Sequence, residues 1–196
     1  MLKRYWLNWL GSALIIGGAL LLGLYFWLRH QADAAQRQAQ QSIDRIVTGR
    51  PTDSTPATNS PQRGLRRGDV VGELTVPRLH LSVMVFEGDD GRILRLGAGH
   101  IPRTALPAQG GNVGIAAHRD TYFRPLRFIR PNDTISLKTP RGTLHYTVTN
   151  TEIVQPSEVE VLAKAPDRDL TLVTCYPFYY VGGAPKRFIV HARKLQ

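Results

Sequence analysis

Cysteine is almost absent from this 196-residue chain, in which Cys175 is the only one. A single cysteine cannot form an internal disulfide, and by itself it cannot supply a cysteine zinc site. No two histidines have the i, i+4 spacing of a helical zinc motif either. The sequence therefore predicts no metal and no cofactor, and it leaves one thiol to be explained.

Concentrated positive charge is also lacking, although the net charge is +10. Residues 1–65 hold 7 Lys/Arg and 3 Asp/Glu (+4), and residues 66–196 hold 18 and 12 (+6). There is no dense basic cluster and no alternation of aromatic and basic residues, which argues against nucleic-acid binding. Dispersed charge of this kind favours contact with anionic lipid or cell-wall polymer.

One long run is uncharged, the 18 residues from Gly11 to Leu28. At about 1.5 Å per residue it would span about 27 Å, which is close to the hydrocarbon thickness of a bilayer. Trp6 and Trp9 on one side and Tyr25–Trp27 on the other resemble interfacial aromatic belts. Residues 1–30 are therefore predicted to form a cytoplasmic tip and transmembrane anchor. The alternative is a cleaved signal peptide, with Ala32–Ala34 as a small-x-small cleavage site.

The orientation of this anchor depends on its flanking charges. Lys3 and Arg4 precede the run, whereas Arg29, Arg37 and Arg45 follow it, so the positive-inside count is nearly balanced. A short basic N-terminus favours a cytoplasmic N-terminus. We therefore expect a single-pass protein of the cell membrane whose folded domain is extracytoplasmic.

Residues 31–67 have the composition of a tether. Gln31–Val47 is rich in Ala and Gln, and its apolar stripe is too thin for a buried helix, so a solvated stalk is predicted. Thr48–Arg67 is rich in Thr, Ser, Pro and Gly. Such a composition cannot build a core and indicates a semi-extended linker.

Residues 68–196 are long enough for one folded domain with its own core. Alternating and short apolar runs predict strands at Val70–Val76, Leu81–Phe86, Val113–Ala117, Thr134–Lys138, Thr143–Val154, Leu170–Cys175 and Arg187–Lys194. Short helices are predicted at Asp89–Leu96 and at Ser157–Lys164, with Ser157 as the cap. Seven or eight short strands with few helices predict a mainly β fold, a closed or nearly closed barrel.

Three chemically useful side chains lie at predicted strand ends. Cys175 ends one strand, His118 follows another, and Arg187 begins the last. A thiol is a good nucleophile once ionised, and an imidazole titrates near neutrality and can act as acid and base. A guanidinium cannot be a base, but its fixed donors suit an oxyanion or a carbonyl. Together the three predict acyl transfer through a thioester.

The motifs around these residues resemble those of sortases, the membrane-anchored cysteine transpeptidases of bacterial surfaces. The similarity is carried by Gly97–Pro102, Asn112–Thr121, Thr171–Cys175 and Lys186–Phe188, and it extends from about Gly72 to the C-terminus. The elements are specific only in combination.

Two short runs, His118–Thr121 and Thr174–Phe178, are most similar to those of class D members. Ala117 departs slightly from the pattern, because a glycine commonly precedes the histidine.

This resemblance implies a closed eight-stranded sortase-type β-barrel with short helices, preceded by an N-terminal transmembrane helix. It implies cleavage of an LPxTG-like sorting signal after its threonine by a peptidase or acyltransferase of the hydrolase class. By position, Cys175 would be the nucleophile, His118 the acid–base and Arg187 the clamp for an oxyanion or substrate. Some relatives use calcium, but no acidic cluster here matches such a site.

The implied partners are surface proteins with C-terminal sorting signals and an amine acceptor, either a cell-wall precursor or another protein. Two other functions stay open at this point. The first is a membrane-tethered domain that binds peptide or wall polymer without chemistry, with Cys175 merely buried. The second is a cysteine protease that uses water as its acceptor.

The remaining candidates are assigned lesser roles. His100 lies in a predicted loop that could approach the site, and His145 and His191 lie within strands as surface or packing residues. Asp120 could orient His118 or pair with Arg119.

Overall fold

The computed structural model describes residues 9, 14–25, 34, 36–38, 40, 41, 65–164, 169–180 and 182–195. Residues 14–25 are helical and almost all of them are exposed. Among the described residues, no helix combines the length and the apolar character needed to cross a bilayer. The predicted anchor Gly11–Leu28 continues past both ends of 14–25, and most of the predicted linker also lies outside the described residues.

Eight strands form the folded domain. They are β1 (Val70–Val76), β2 (Leu81–Glu87), β3 (Ala98–His100), β4 (Val113–Ala116), β5 (Thr134–Thr139), β6 (Gly142–Val154), β7 (Leu170–Tyr176) and β8 (Lys186–Lys194). They close into a barrel in the order β1-β2-β3-β4-β7-β8-β6-β5. Closure pairs every strand on both sides and leaves no open sheet edge. The predicted mainly β barrel is confirmed.

The directions of β4, β7 and β8 decide which of their ends lie at the same rim of the barrel. β4 and β7 are parallel neighbours, whereas β7 and β8 are antiparallel. The C-terminal ends of β4 and β7 therefore reach the same rim of the barrel, and β8 begins there.

The core lies inside the barrel and follows the two-residue period of strands. On β7 the buried core residues are Leu170 and Leu172, and on β8 they are Val190 and Ala192. Because side chains alternate along a strand, the odd-numbered residues of β7 and β8 face outward, and Cys175 is one of them.

The helix predicted at Ser157–Lys164 was wrong. The structure has only a 3₁₀ turn there, Val159–Leu162, without a side-chain cap. The turn ends because Ala163 has an extended backbone (φ −67°, ψ 151°), and the carbonyls of Leu162 and Ala163 then accept hydrogen bonds from a side chain outside the segment.

β3 was missed, because three residues of which one is glycine give no alternating signal. Gly99 is needed for close approach, since a Cβ built on it would lie 2.2 Å from the Gly88 carbonyl oxygen. The helix expected at Asp89–Leu96 is present as Gly91–Leu96, and Asp90 caps it by accepting from the Arg92 N–H at 2.9 Å.

Part of the predicted stalk touches the barrel. Gln36 Oε1 accepts from the Met84 N–H at 2.9 Å, and its Nε2 donates to the Leu96 carbonyl. Gln40 Nε2 donates to Glu73 Oε1 at 3.0 Å. These contacts are polar, so hydrophobic patterning alone could not have predicted them.

Candidate active site

Cys175 and Arg187 occupy matched positions on neighbouring strands. In the antiparallel register of β7 and β8 they are direct partners. Side chains of such partners share one face of the sheet, with their Cβ atoms about 4.5–5.5 Å apart. The thiol and the guanidinium therefore start from adjacent points on the outer face of the barrel.

His118 joins this pair from the other side of β7. The parallel register of β4 and β7 runs from Val113 opposite Leu170 to Ala116 opposite Val173. It continues beyond β4, because the Ala117 N–H donates to the Val173 carbonyl at 3.2 Å. His118 is the next residue, so the loop that it begins leaves β4 at the end of β7, where Cys175 lies. We call His118, Cys175 and Arg187 the rim row.

The rim row is accessible from solvent. Cys175 is a free thiol of intermediate exposure, and His118 and Arg187 are also half-buried. Arg187 Nη1 donates to the carbonyl of Ala184 at 3.2 Å, just before β8, and to that of Lys186 at 3.0 Å, at the first residue of β8. The structure therefore argues against a Cys175 that merely fills space in the core.

An apolar strip leads away from the rim row along the outer face. Ala116 and Val173 are register partners, and both are half-buried. Farther along, Thr171 pairs with Gly114 on one side and His191 on the other. Thr171 is fully buried, so the open part of this face is shorter than the roughly 13 Å between Thr171 and Cys175. We call the surface around Ala116 and Val173 the outer strip.

Comparison with known proteins explains why a thiol lies at the end of such a strip. The sortase domain model matches residues 74–195. This chain belongs to the sortase family. It is therefore a cysteine transpeptidase for the cell-wall sorting of proteins, and surface proteins with sorting signals and amine acceptors are the substrates that the family implies.

Relatives place this sortase close to class D. It is 28% identical to Sortase D of Bacillus subtilis over 159 residues, which cover 77% of this chain and 80% of that protein. Its fold is similar to that of the Clostridium perfringens Sortase D5 transpeptidase, with a TM-score of 0.67, 21% identity and coverage of 84% and 98%. It also resembles the SrtA sortase of Actinomyces oris, with a TM-score of 0.60, 30% identity and coverage of 70% and 87%.

Thr174 supports the sortase rim row from inside the barrel. It is 2% exposed, and its hydroxyl donates to the Ala117 carbonyl at 2.7 Å. Ala117 directly precedes His118, so this bond fixes the chain where the imidazole departs from β4. The strand alternation turns the Thr174 side chain away from that of Cys175.

Arg119 fastens the loop between β7 and β8. Its Nη2 donates to the carbonyls of Tyr180 at 2.6 Å and Gly182 at 3.0 Å, and its guanidinium lies 5.8 Å from the Tyr180 ring centroid. Arg119 therefore pairs with this loop and not with Asp120, which is exposed. This link between the His118 loop and the β7–β8 loop was missed from the sequence.

The aromatic residues after Cys175 have two different environments. Tyr176, Phe178 and Phe188 form a cluster with ring centroids 5.3–6.5 Å apart, and Phe178 and Phe188 also contact the core. Tyr179 and Tyr180 are exposed instead. The cluster supports the end of β7, where the thiol lies.

The other histidines of the barrel lie away from the rim row. His100 is 2% exposed, with Nδ1 2.7 Å from Glu87 Oε2 and Nε2 3.0 Å from the Ala105 carbonyl. These contacts hold the loop after β3 in place, and His100 does not approach the thiol. His145 is exposed beside Ser136, whereas His191 is fully buried.

A cleft of about 950 Å³ lies elsewhere on this sortase, lined in part by Asp169, Arg193 and Lys194. Asp169 directly precedes β7, so the cleft is at the rim opposite to Cys175. In the described part of the chain, no group of three or more His, Cys, Asp or Glu residues is placed to hold a metal ion.

Proposed function

We propose that this sortase cleaves an LPxTG-like sorting signal after its threonine and transfers the new carboxyl end to an amine through a thioester on Cys175. The observation that carries this proposal is the strand register, which makes Arg187 the direct partner of the half-buried Cys175 and starts the loop that holds His118 at the same end of β7. Family membership supports the transpeptidase chemistry, and the register supports the choice of these three residues.

The first half-reaction forms the acyl-enzyme. The Cys175 thiolate attacks the threonine carbonyl carbon, and the carbonyl oxygen takes the negative charge. Arg187 donates hydrogen bonds to this oxygen or to a neighbouring substrate carbonyl. As the carbon–nitrogen bond breaks, His118 gives a proton to the departing glycine amine, which leaves the thioester behind.

The second half-reaction releases the product. The acceptor amine attacks the thioester carbonyl, and His118 takes a proton from it. The carbon–sulfur bond then breaks and the Cys175 thiolate is regenerated. The net result exchanges one amide bond for another, without an oxidant or a reductant.

The outer strip supports the polarity of the proposed signal. The half-buried Ala116 and Val173 form an apolar floor, which suits the leucine and proline side chains. A peptide seated on this floor would bring its threonine carbonyl to the thiol.

The proposal includes a membrane anchor in residues 1–30, with the barrel outside the cytoplasm. It is supported by the uncharged run Gly11–Leu28 and its flanking aromatic residues. Protease treatment of intact spheroplasts tests this topology: the barrel should be degraded from outside and stay with the membrane fraction when untreated. A barrel that is released by a salt wash or protected from protease would contradict it.

Turnover of a fluorogenic LPxTG peptide by the full-length chain, with and without an added amine, tests the chemistry. We expect wild-type turnover, a mass increase on Cys175 that corresponds to the acyl group, and an amine-linked product. Cys175→Ala and His118→Gln should abolish turnover, whereas His145→Gln, an exposed histidine on β6, should not. Equal turnover by wild type and Cys175→Ala would refute the proposal.

Mass spectrometry of the products separates the transpeptidase from a protease. A product joined to the amine supports transfer, whereas a free threonine carboxylate as the only product supports hydrolysis. Alkylation of Cys175 by iodoacetamide at pH 6.5 separates both from a binding domain. Rapid alkylation that is lost in His118→Gln or Arg187→Ala indicates an activated thiol.

A further inference from the structure

Three buried polar residues lie on the outer face, outside the hydrophobic core. Asn112 is 3% exposed, and Thr171 and His191 are 0% exposed. Burying such groups is costly unless they form hydrogen bonds. The segment 155–164, which connects β6 towards β7, covers them. The proposed function assigns no role to any of the three.

Hydrogen bonds connect these residues to one another and to the segment above them. Asn112 Nδ2 donates to the Leu162 carbonyl at 3.0 Å and to Thr171 Oγ1 at 2.9 Å. Thr171 Oγ1 lies 3.1 Å from His191 Nδ1. His191 Nε2 lies 2.7 Å from Glu152 Oε1, whose side chain is 41% exposed. The chain of bonds therefore runs from the backbone of the segment to solvent.

The hydrogen bonds of this group meet at the Thr171 hydroxyl. Its oxygen accepts from Asn112 Nδ2 at 2.9 Å. Its single hydrogen has three acceptors within reach, which are Asn112 Oδ1 at 3.0 Å, His191 Nδ1 at 3.1 Å and the Val161 carbonyl at 3.4 Å. Both ends of the Asn112 amide therefore contact Thr171, and the other N–H of the amide is left for the Leu162 carbonyl.

The segment is held by hydrogen bonds within its own turns and by side chains of the barrel. The 3₁₀ turn Val159–Leu162 has four residues, and the carbonyls at its end have no further helical turn to bind. Asn112 supplies donors to two of them, at 3.0 Å for Leu162 and 3.4 Å for Ala163. Thr171 Oγ1 lies 3.4 Å from the carbonyl before them, so Asn112 and Thr171 both tie the segment to the barrel.

The anchoring point lies on the same face as the thiol. Thr171 and Cys175 are on one strand with three residues between them, and Ala116 and Val173 form the floor in between. The held segment therefore closes the outer strip at the end away from the rim row. Its position sets how far along the strip a peptide can sit.

We propose that Asn112, Thr171 and His191 are positioning residues that fix segment 155–164 as the end wall of the peptide site. This inference depends on the proposed function, because the wall matters only if a peptide lies on the outer strip. The three residues touch no reacting atom. Their loss should weaken peptide binding and leave the chemistry of the rim row intact.

The test uses the full-length chain in non-ionic detergent, with Thr171→Val and Asn112→Ala as two independent losses. We expect KM for the fluorogenic LPxTG peptide to rise about tenfold while kcat stays within about twofold. Amide hydrogen exchange should become faster in residues 159–164. Thr171→Ser, which keeps the hydroxyl, should restore both values.

A matched control is Thr139→Val, which removes another buried hydroxyl. Thr139 is 5% exposed and donates to the Gly142 carbonyl at 2.9 Å, in the distant β5–β6 turn. It should change stability but neither KM nor the exchange of 159–164. This control separates loss of the wall from general loosening of the barrel.

Unchanged exchange in 159–164 in both variants would overturn the inference, as would faster exchange with an unchanged KM. A drop in kcat alone would also overturn it, because that result indicates a disturbed rim row. A wild-type chain that cleaves no sorting peptide would contradict the proposed function instead. In that case, amide hydrogen exchange alone would test whether the three residues hold segment 155–164 in place.

Discussion

Cys175 and Arg187 face each other across the antiparallel ladder of β7 and β8. The backbone holds this relationship, and the Arg187 guanidinium is hydrogen-bonded to its own turn at Ala184 and Lys186. A substitution at either position should therefore change the chemistry and leave the neighbouring strand in place.

Arg187→Lys keeps the positive charge but loses the planar set of donors. If the guanidinium stabilises the oxyanion, kcat should fall about 10²–10³-fold with a smaller change in KM. Steady-state kinetics with the fluorogenic peptide measure both. Arg193→Lys is the control, because Arg193 is exposed on the same strand near the opposite rim. More than about a tenth of wild-type kcat in Arg187→Lys would contradict the assigned role.

Thr174→Val tests the support behind His118. The substitution removes the hydroxyl that donates to the Ala117 carbonyl and leaves that acceptor buried without its partner. The free energy of unfolding should fall by about 1–3 kcal/mol. A displaced imidazole should lower kcat more than it raises KM. Urea unfolding and kinetics check the two effects, and Thr174→Ser should recover both; a variant with wild-type kcat would show that the bond does not position His118.

The Asp133 carboxylate should make the barrel sensitive to acid. It is 8% exposed, and hydrogen bonds from the Arg78 guanidinium hold its pKa below the ordinary value of 3.8. A carboxylate with a lowered pKa stabilises the fold above its ordinary value, and that contribution is lost as the pH falls below it.

Asp133→Asn should therefore destabilise the fold by about 1.5–3 kcal/mol at pH 7, because a charged hydrogen bond is lost. The difference in the free energy of unfolding between wild type and variant should become smaller below about pH 4. Urea midpoints across pH 2–7 measure it, with the exposed Asp120→Asn as the control. A difference that stays constant over this range would refute the assignment.

Tyr146 should make the barrel sensitive to alkali. Burial raises the pKa of this phenol to about 12, and the nearby Asp169 carboxylate adds to the effect. A raised pKa leaves stability intact below the ordinary value of 10.0 and removes it as the pH rises towards 12. In the wild type, the free energy of unfolding should therefore fall by on the order of 2 kcal/mol between pH 10 and 12, and this fall should be absent in Tyr146→Phe. An equally steep alkaline loss in the variant would contradict this explanation.

Much of the barrel could be predicted from residue alternation, but the neighbours of each strand could not. Val70–Val76 was predicted with the bounds that β1 has. The same patterning put Cys175, His118 and Arg187 at strand ends. Periodicity does not say that β7 lies between β4 and β8, because β4 and β7 are parallel partners separated by two other strands in the chain.

The parts that were missed depend on individual polar contacts. Asn112 gives no sign in the sequence that its amide binds the backbone at Leu162, far along the chain. His191 was expected to be a surface or packing residue, and only the structure shows its contact with Thr171. Gln36 and Gln40 resemble solvated stalk residues until their barrel partners are seen. Such contacts follow from tertiary placement, which local patterns do not encode.

The parallel pairing of β4 and β7 also orders events during synthesis. The imidazole emerges from the ribosome first, whereas the thiol and the guanidinium belong to the final strands of the chain. Cys175 can reach the end of β4 only after β5 and β6 have been synthesised and the long-range pairing of β4 with β7 is complete. An unfinished chain therefore has no assembled rim row.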